Sequence, residues 1–325
     1  MTSPTLLVEN LTIDYGGFRA LDNLSFRASA GDVIGIIGPN GAGKTSFIKA
    51  LCGRINFNNG YIRVNDIKLH NGRARQKLLG LVPQDIGLYA HMSAKENLEA
   101  FAKIMGLSRG KTRRESVQKA LDAVDLTHKA NTKVSKLSGG MKRRINVAAA
   151  IMHDPDVLIL DEPTAGADIA ARDTVHRLAR QIANTGKVVL LVTHELDQAE
   201  ALCDKLLILS NGKKLMFDTP TAIMSKAFPA SREVLIKLIS SPDTTMFKAL
   251  APFNFKQGDT PTEWLTMTNA SEVSFVSAFM ASLRGGNDLV REISVRRPGL
   301  SHLIKHIEKT GEFPSPTRSV ITPNA

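Results

Sequence analysis

Cysteine is scarce: Cys52 and Cys203 are the only two in 325 residues, too few for a disulfide framework. That scarcity reads as a reducing cytosol, with both thiols expected as small core side chains. Trp264 is the single tryptophan and aromatics make up 5% of the chain, which weighs against a stacking platform for nucleic-acid bases. No apolar run approaches the roughly 20 residues that cross a bilayer. The N-terminal MTSPTLLVEN meets Glu9 and Asn10 before a signal-peptide core could form. A soluble cytoplasmic protein is the expectation. What remains is ordinary globular material, 43% hydrophobic and 22% charged, long enough for about two domains.

Acidic side chains are also in deficit, 31 against 42 basic ones, for a net charge of +11. Most of the excess lies in short runs within the first 220 residues: Arg73, Arg75 and Lys77; Arg109, Lys111, Arg113 and Arg114; Lys142, Arg143 and Arg144. Such a surface suits a polyanion, whether nucleotide, nucleic acid or the anionic inner leaflet of a membrane, and charge alone does not choose. The run from Arg109 to Arg114 reads as a solvated loop between helices, and Lys142 to Arg144 as residues tuning an interface, with a plain polar helix face as the alternative.

The chain opens with period-two alternation, Leu11, Ile13 and Tyr15 on one face and Asn10, Thr12 and Asp14 on the other, which predicts a strand. Gly16-Gly17 turns it into a second. DVIGIIG is a continuous β-branched run suited to a sheet buried on both faces, and VLIL (157–160), KVVLLV (187–192) and KLLILS (205–210) repeat the type. Val175, Leu178, Ala179 and Ile182 recur at helix spacing before a stop at Gly186. Strands alternating with helices predict a largely parallel sheet. Residues 92–130 carry helical periods with no strand between them, an all-helical insertion. After Pro220 the texture changes: SREVLIKLIS and LVREISVRRP read as strands, and TTMFKALAP, ASEVSFVSAFMASL and GLSHLIKHIEK as helices. The expected domains are 1–220, with the insertion at about 85–145, a small α+β domain over 221–313, and a loose tail over 314–325.

The chemistry concentrates in a few places. Gly38, Pro39, Asn40, Gly41, Ala42, Gly43, Lys44 and Thr45, followed by Ser46, join a buried strand to a helix. Backbone N–H groups and a helix N-terminus there form a phosphate cradle, with Lys44 reaching the β- and γ-phosphates and the Thr45 hydroxyl offered to Mg²⁺. Asp161 suits an outer Mg²⁺ contact and Glu162 a water attacking the γ-phosphate, both at the C-terminal end of another buried strand. His194 ends a third strand at the same edge. His302 and His306, spaced i, i+4, lack an acid or cysteine to complete a zinc site and predict a half-packed helix.

Taken in order, these residues resemble the motif set of ABC-type ATPases over residues 6 to about 217. LSGGM, Leu137 to Met141, resembles the signature; Gln84 in LVPQD the Q-loop; AGAD ending at Asp168 the D-loop; His194 the switch histidine; and Tyr15 the aromatic that stacks on adenine. Met141 and Ala167 depart from the commonest Gln and Leu of that pattern, and neither removes a phosphate or metal ligand. The resemblance implies a P-loop NTPase fold of α/β class, with an antiparallel β subdomain and a helical insertion. It also implies ATP and Mg²⁺ as cofactors: Thr45, Gln84 and Asp161 facing the metal, Glu162, His194 and Gln84 serving hydrolysis, and Ser138, Gly139, Gly140 and Asp168 acting across a dimer. Two cassettes would pair head to tail, as a homodimer or with a paralogue, with each ATP between one chain's phosphate loop and the other's signature. The tail domain resembles that of the drug-, sodium- and polysaccharide-exporter group, whose ATPases drive a separate membrane permease. The chain is therefore expected peripherally on the inner face of the cell membrane. A soluble ABC ATPase acting on ribosomes or nucleic acid is the second reading, disfavoured by a single cassette without a long coiled coil; a regulatory nucleotide binder is the third, disfavoured by Glu162.

Overall fold

In a computed structural model, residues 6–69, 72–107, 110–164, 169–229, 231–283 and 289–314 are described. Arg109, Ala167, Asp168 and the expected tail beyond Pro314 lie outside them. The chain divides into two compact units, one running to Pro220 and including Ile307–Glu312, the other holding Thr221–His306.

The first unit begins with a hairpin, β1 (Leu6–Tyr15) and β2 (Phe18–Ala28), followed by β3 (Val33–Ile37), α1 (Lys44–Leu51), β4 (Asn59–Val64) and β5 (Ile67–Lys68). After α2 (Gly72–Leu78) and β6 (Leu79–Val82) come the helices α3 (Ala94–Ile104), α4 (Lys111–Ala123) and α5 (Gly139–Ile151). The unit then alternates through β7 (Val157–Asp161), α6 (Ile169–Asn184), β8 (Val188–Val192) and α7 (Leu196–Leu202) to the pair β9 (Lys205–Ser210) and β10 (Lys213–Asp218).

Two sheets result. An antiparallel one runs β2-β1-β4-β5; the other runs β10-β9-β3-β8-β7-β6, parallel except at β10. Every residue of β3 and β8 is buried, as sheet strands covered on both faces must be. The two sheets share one core, in which Phe26 of β2 meets Phe47 of α1 edge-on at 5.6 Å. The short edge strand β6 and the strands β4, β5 and β10 are additions to the sequence reading.

One basic run resolves differently from its sequence reading, and another departs from the plain polar helix face that was its alternative. Lys111, Arg113 and Arg114 are the first turn of α4, not a loop, and Arg113 donates to the Leu107 carbonyl at 2.8 Å. Arg143 and Arg144 are half-buried and turned inward: Arg144 donates to the Val124 carbonyl at 3.1 Å, and Arg143 to the carbonyl of Gln84. Neither forms a free polar face, because each satisfies a backbone acceptor at the end of another segment.

The second unit follows α8 (Pro220–Ala227) with β11 (Arg232–Leu238), α9 (Thr244–Leu250), β12 (Lys256–Gln257), β13 (Glu263–Thr268), α10 (Glu272–Ser282), β14 (Val290–Arg296) and α11 (Leu300–Thr310). The sheet order β12-β13-β11-β14, antiparallel throughout, gives β11 to β14 the β-α-β-β-α-β ferredoxin-like arrangement. Its core gathers Val234, Ile236, Phe255, Phe275 and Phe279. Trp264 belongs here: it is buried, meets Phe247 edge-on at 5.4 Å and so has the aromatic companion that the sequence did not reveal. His302 also finds an acid: its Nε2 lies 3.0 Å from Glu233, which Arg296 also contacts at 2.6 Å. That is an ion-pair cluster inside the unit, where the spacing of His302 and His306 alone had offered no carboxylate.

Candidate active site

The sheet brings four chain segments to one edge by register. Val192, the last residue of β8, pairs with Ile36 on one side and Asp161 on the other, and Val82 of β6 pairs with Leu160. The turns after β3, β6, β7 and β8 therefore leave the sheet at one level, the carboxyl end where ligands of open parallel sheets bind. Those turns carry the phosphate loop, Gln84, Asp161-Glu162 and His194.

The loop after β3 is shaped by glycine. Gly38 has φ 151°, and a Cβ there would stand 2.1 Å from the Leu209 carbonyl oxygen. Gly43 caps α1 with φ 103°, and a Cβ on it would meet the Ala20 carbonyl oxygen at 2.5 Å. Any side chain at either place would push the loop off β9 or β2. Ala42 is buried and Pro39 half-buried, while Asn40, Gly41 and Thr45 are exposed at the mouth. Helix α1 starts without a side-chain cap, and the first intrahelical bond is that of Phe47 N–H to the Gly43 carbonyl at 2.9 Å. The preceding amides, those of Lys44, Thr45 and Ser46, belong to the turn whose N–H groups lack an intrahelical acceptor, so they suit an anion. Lys44 Nζ donates back to the carbonyls of Gly38 at 2.6 Å and Pro39 at 2.9 Å. Burial lowers the Lys44 pKa, with Glu162 and Asp161 acting in the opposite sense.

Across from it, burial raises the Asp161 pKa and the neighbouring Glu162 adds to the rise, while Arg54 and Lys44 oppose it. Two carboxylates side by side in partial burial favour a cation. The three side chains read as metal-facing, Asp161, Thr45 and Gln84, offer hard oxygens of the kind Mg²⁺ takes, and Mg²⁺ needs few protein ligands. Glu162 has left-handed backbone, φ 45°, held by its N–H on the Val192 carbonyl at 2.9 Å. Its carboxylate lies 3.4 Å from Nδ1 of His194, whose own side chain is 68% exposed.

Gln84 is exposed, and its backbone is anchored from α5: Arg143 binds its carbonyl, and Asn146 reaches that of Asp85 at 3.5 Å. Farther along the same loop, buried Asn97 of α3 binds both the N–H and the carbonyl of Tyr89, at 2.7 and 3.0 Å. Tyr15 ends β1, 43% exposed, opposite Phe18 across the hairpin. Ser138 caps α5 by accepting from Met141 N–H at 3.3 Å. Gly139 has open space at its Cβ position and Gly140 backs onto Ala171.

The structure thus brings Lys44, Asp161, Glu162 and His194 together. Among the described residues, no hydrogen bond or ion pair joins Ser138–Gly140 to the phosphate loop. Asp168 lies outside the described residues. Arg143 and Asn97, which hold the loop after β6, and Glu195, next to His194, are not assigned a place at the site by the sequence, in which Arg143 reads as an interface or polar-face residue.

A family model described as ABC transporter matches residues 21–165. The linearmycin resistance ATP-binding protein LnrL of Bacillus subtilis (strain 168) is 37% identical over 223 residues, covering 68% of this chain and 71% of its own. The Nod factor export ATP-binding protein I of Ralstonia nicotianae is 38% identical over 226 residues, 69% of this chain and 70% of its own. Among solved structures, cbiO1 from Clostridium perfringens, part of the ABC transporter complex cbiONQ, superposes with a TM-score of 0.64 at 25% identity, over 69% of this chain and 92% of that one. None of these names points to ribosomes or nucleic acid, and the second sequence reading is not favoured. On this fold, these motifs and this similarity, the chain belongs to the ABC transporter family and is an ATP-binding, ATP-hydrolysing subunit of that kind.

Proposed function

We propose that this chain is the energy subunit of an exporter, pairing head to tail with a second copy or a paralogue around two Mg-ATP and driving a separate membrane permease. The observation that carries the reading is the Glu162–His194 pair, 3.4 Å apart, beside Lys44 and Asp161 at the carboxyl edge of the sheet. Export is supported by the names of the relatives, one a resistance and one an export ATP-binding protein. Placement at a membrane through the permease is part of the proposal. Among the described residues, no helix is long and apolar enough to cross a membrane.

In this reading the amides from Gly41 to Ser46 and the Lys44 ammonium hold the β- and γ-phosphates, Lys44 exchanging its bonds to the Gly38 and Pro39 carbonyls for phosphate oxygens. Thr45, Asp161 and Gln84 would hold Mg²⁺, which when bound neutralises charge on the phosphate oxygens. Glu162 accepts the proton of the attacking water, and His194 orients its carboxylate from the solvent side. Tyr15 stacks on adenine. Ser138, Gly139 and Gly140 present the open N-terminus of α5 to the γ-phosphate bound by the other chain, with Asp168 linking the two sites. The second unit, Thr221–His306, is assigned no step.

Replacing Glu162 by Gln tests the reading. Turnover should fall about 10² to 10⁴-fold, the usual contribution of a general base, while Mg-ATP binding persists. Light scattering should then report an ATP-dependent dimer. Wild-type turnover in Glu162→Gln would overturn the assignment.

A further inference from the structure

We propose that Glu195 is a positioning residue of the hydrolytic site, its carboxylate tying the exits of β7 and β8 to helix α6 and so setting the geometry of the Glu162–His194 pair. The proposal rests on the role given above to that pair.

Glu195 follows His194 directly and is the N-cap residue of α7. A carboxylate there would ordinarily turn onto the first amides of its own helix, where the dipole favours it. It does not: Glu195 makes no side-chain cap bond. Its side chain is 16% exposed and spans two other segments instead. One oxygen lies 3.4 Å from the guanidinium of Arg172 on α6. The other accepts the hydroxyl proton of Thr164 at 3.3 Å. Thr164 is 2% exposed and stands two residues after Glu162. The backbone of Glu195 is fixed as well, its N–H donating at 3.0 Å to the hydroxyl of the buried Thr193. Burial lowers the pKa of half-buried His176, one turn beyond Arg172, and the charge of the same carboxylate opposes that shift.

The arrangement closes a loop: Glu162, Thr164, Glu195, His194 and back to Glu162. Its importance follows from what else holds those two residues. His194 is 68% exposed, so no packing fixes its ring on the solvent side, and its aim depends on where the backbone at 193–195 is held. Glu162 sits at φ 45°, a conformation a non-glycine residue keeps only where its surroundings over-determine it. The bond to the Val192 carbonyl fixes one side of Glu162, and the Thr164–Glu195 bond fixes the other. A hydrolytic pair needs its supporting shell within about half an ångström of the productive geometry.

The test uses the full-length chain with Mg-ATP. Glu195→Ala should lower kcat on the order of tenfold, as loss of such supporting contacts does, with KM for Mg-ATP changed by less than about twofold. Thr164→Val, which keeps the volume and removes the hydroxyl, should lower kcat in the same sense, and Thr164→Ser should restore it. Adding Arg172→Ala to Glu195→Ala should cost little more, because both act in one network. The Thr164 pair carries the test should Glu195→Ala fail to fold. Wild-type kcat in both Glu195→Ala and Thr164→Val, or a fall in kcat matched by an equal loss of ATP affinity, would overturn the proposal. Glu162→Gln measured alongside separates the layers. Full turnover there removes the role of the pair itself, whereas loss of turnover there with normal Glu195 and Thr164 variants removes this inference alone.

Discussion

Lys44, Asp161, Glu162 and His194 converge inside one chain, whereas Ser138, Gly139 and Gly140 stand at a helix start, Ser138 accepting its cap bond from Met141. The first set is half-buried at Lys44, Asp161 and Glu162, electrostatically coupled, and braced by Val192 and Glu195. The second is exposed at Ser138 and Gly139, with open space above Gly139. A half-site that is finished internally needs only substrate. One that ends in the exposed start of a helix, with glycines at its first two positions, is shaped for something brought to it. The difference is what a composite site built from two chains would require of each.

The sharpest way to break this comparison is complementation. Lys44→Ala removes the first half and Ser138→Arg blocks the second, and each variant alone should lack turnover. Mixed in equal amounts they should recover about a quarter of wild-type activity, since half of randomly paired head-to-tail dimers keep one intact site of two. A mixture as inactive as its components would remove the homodimeric form of the proposal.

A second experiment sets the two units against each other. Burial alone would raise the Glu233 pKa, but hydrogen bonds from His302 and Arg296, with their charges, hold it at about 2. A carboxylate depressed in the folded state stabilises it above its unfolded pKa of roughly 4.3 and loses that contribution as pH falls toward 2. The difference is worth at most about 3 kcal/mol. Wild type should therefore melt above Glu233→Gln at pH 7, and the gap should close between about pH 5 and 2. A gap independent of pH would mean that the cluster acts by packing and not by charge.

The smallest effect concerns the hairpin. Tyr15→Ala should raise KM for ATP roughly fivefold, the loss of about 1 kcal/mol of stacking, with less change in kcat. A fall confined to kcat would sink the adenine role of Tyr15.

The enclosed half of the site was legible in the sequence because its signals are contiguous. Gly38 to Thr45 between a strand and a helix, and Asp161-Glu162 closing VLIL, need only local backbone geometry to be understood. The buried strands were legible for the same reason, since VVLLV admits few other fates. What was not legible depends on distant residues meeting. Glu195 looks like any acid opening a helix until Thr164 and Arg172 close on it. Arg143 counts as surface charge until the Gln84 carbonyl takes it inward. In the second unit, β12 has two residues and β13 follows a turn rich in polar side chains, so the hairpin gave little periodicity to find. Glu233 and His302 are far apart in sequence, and only the sheet and α11 bring them to 3.0 Å.

Glu162 adopts a backbone conformation that glycine would hold at no steric cost, and its charge raises the pKa of the adjacent Asp161. Any residue with a Cβ holds this conformation at a cost of about 1–2 kcal/mol that glycine would not incur. Inactivation and robustness therefore pull together at this position. Only glycine at 162 would release the backbone, and it would remove the carboxylate with it, so no single substitution separates the strained conformation from the hydrolytic group.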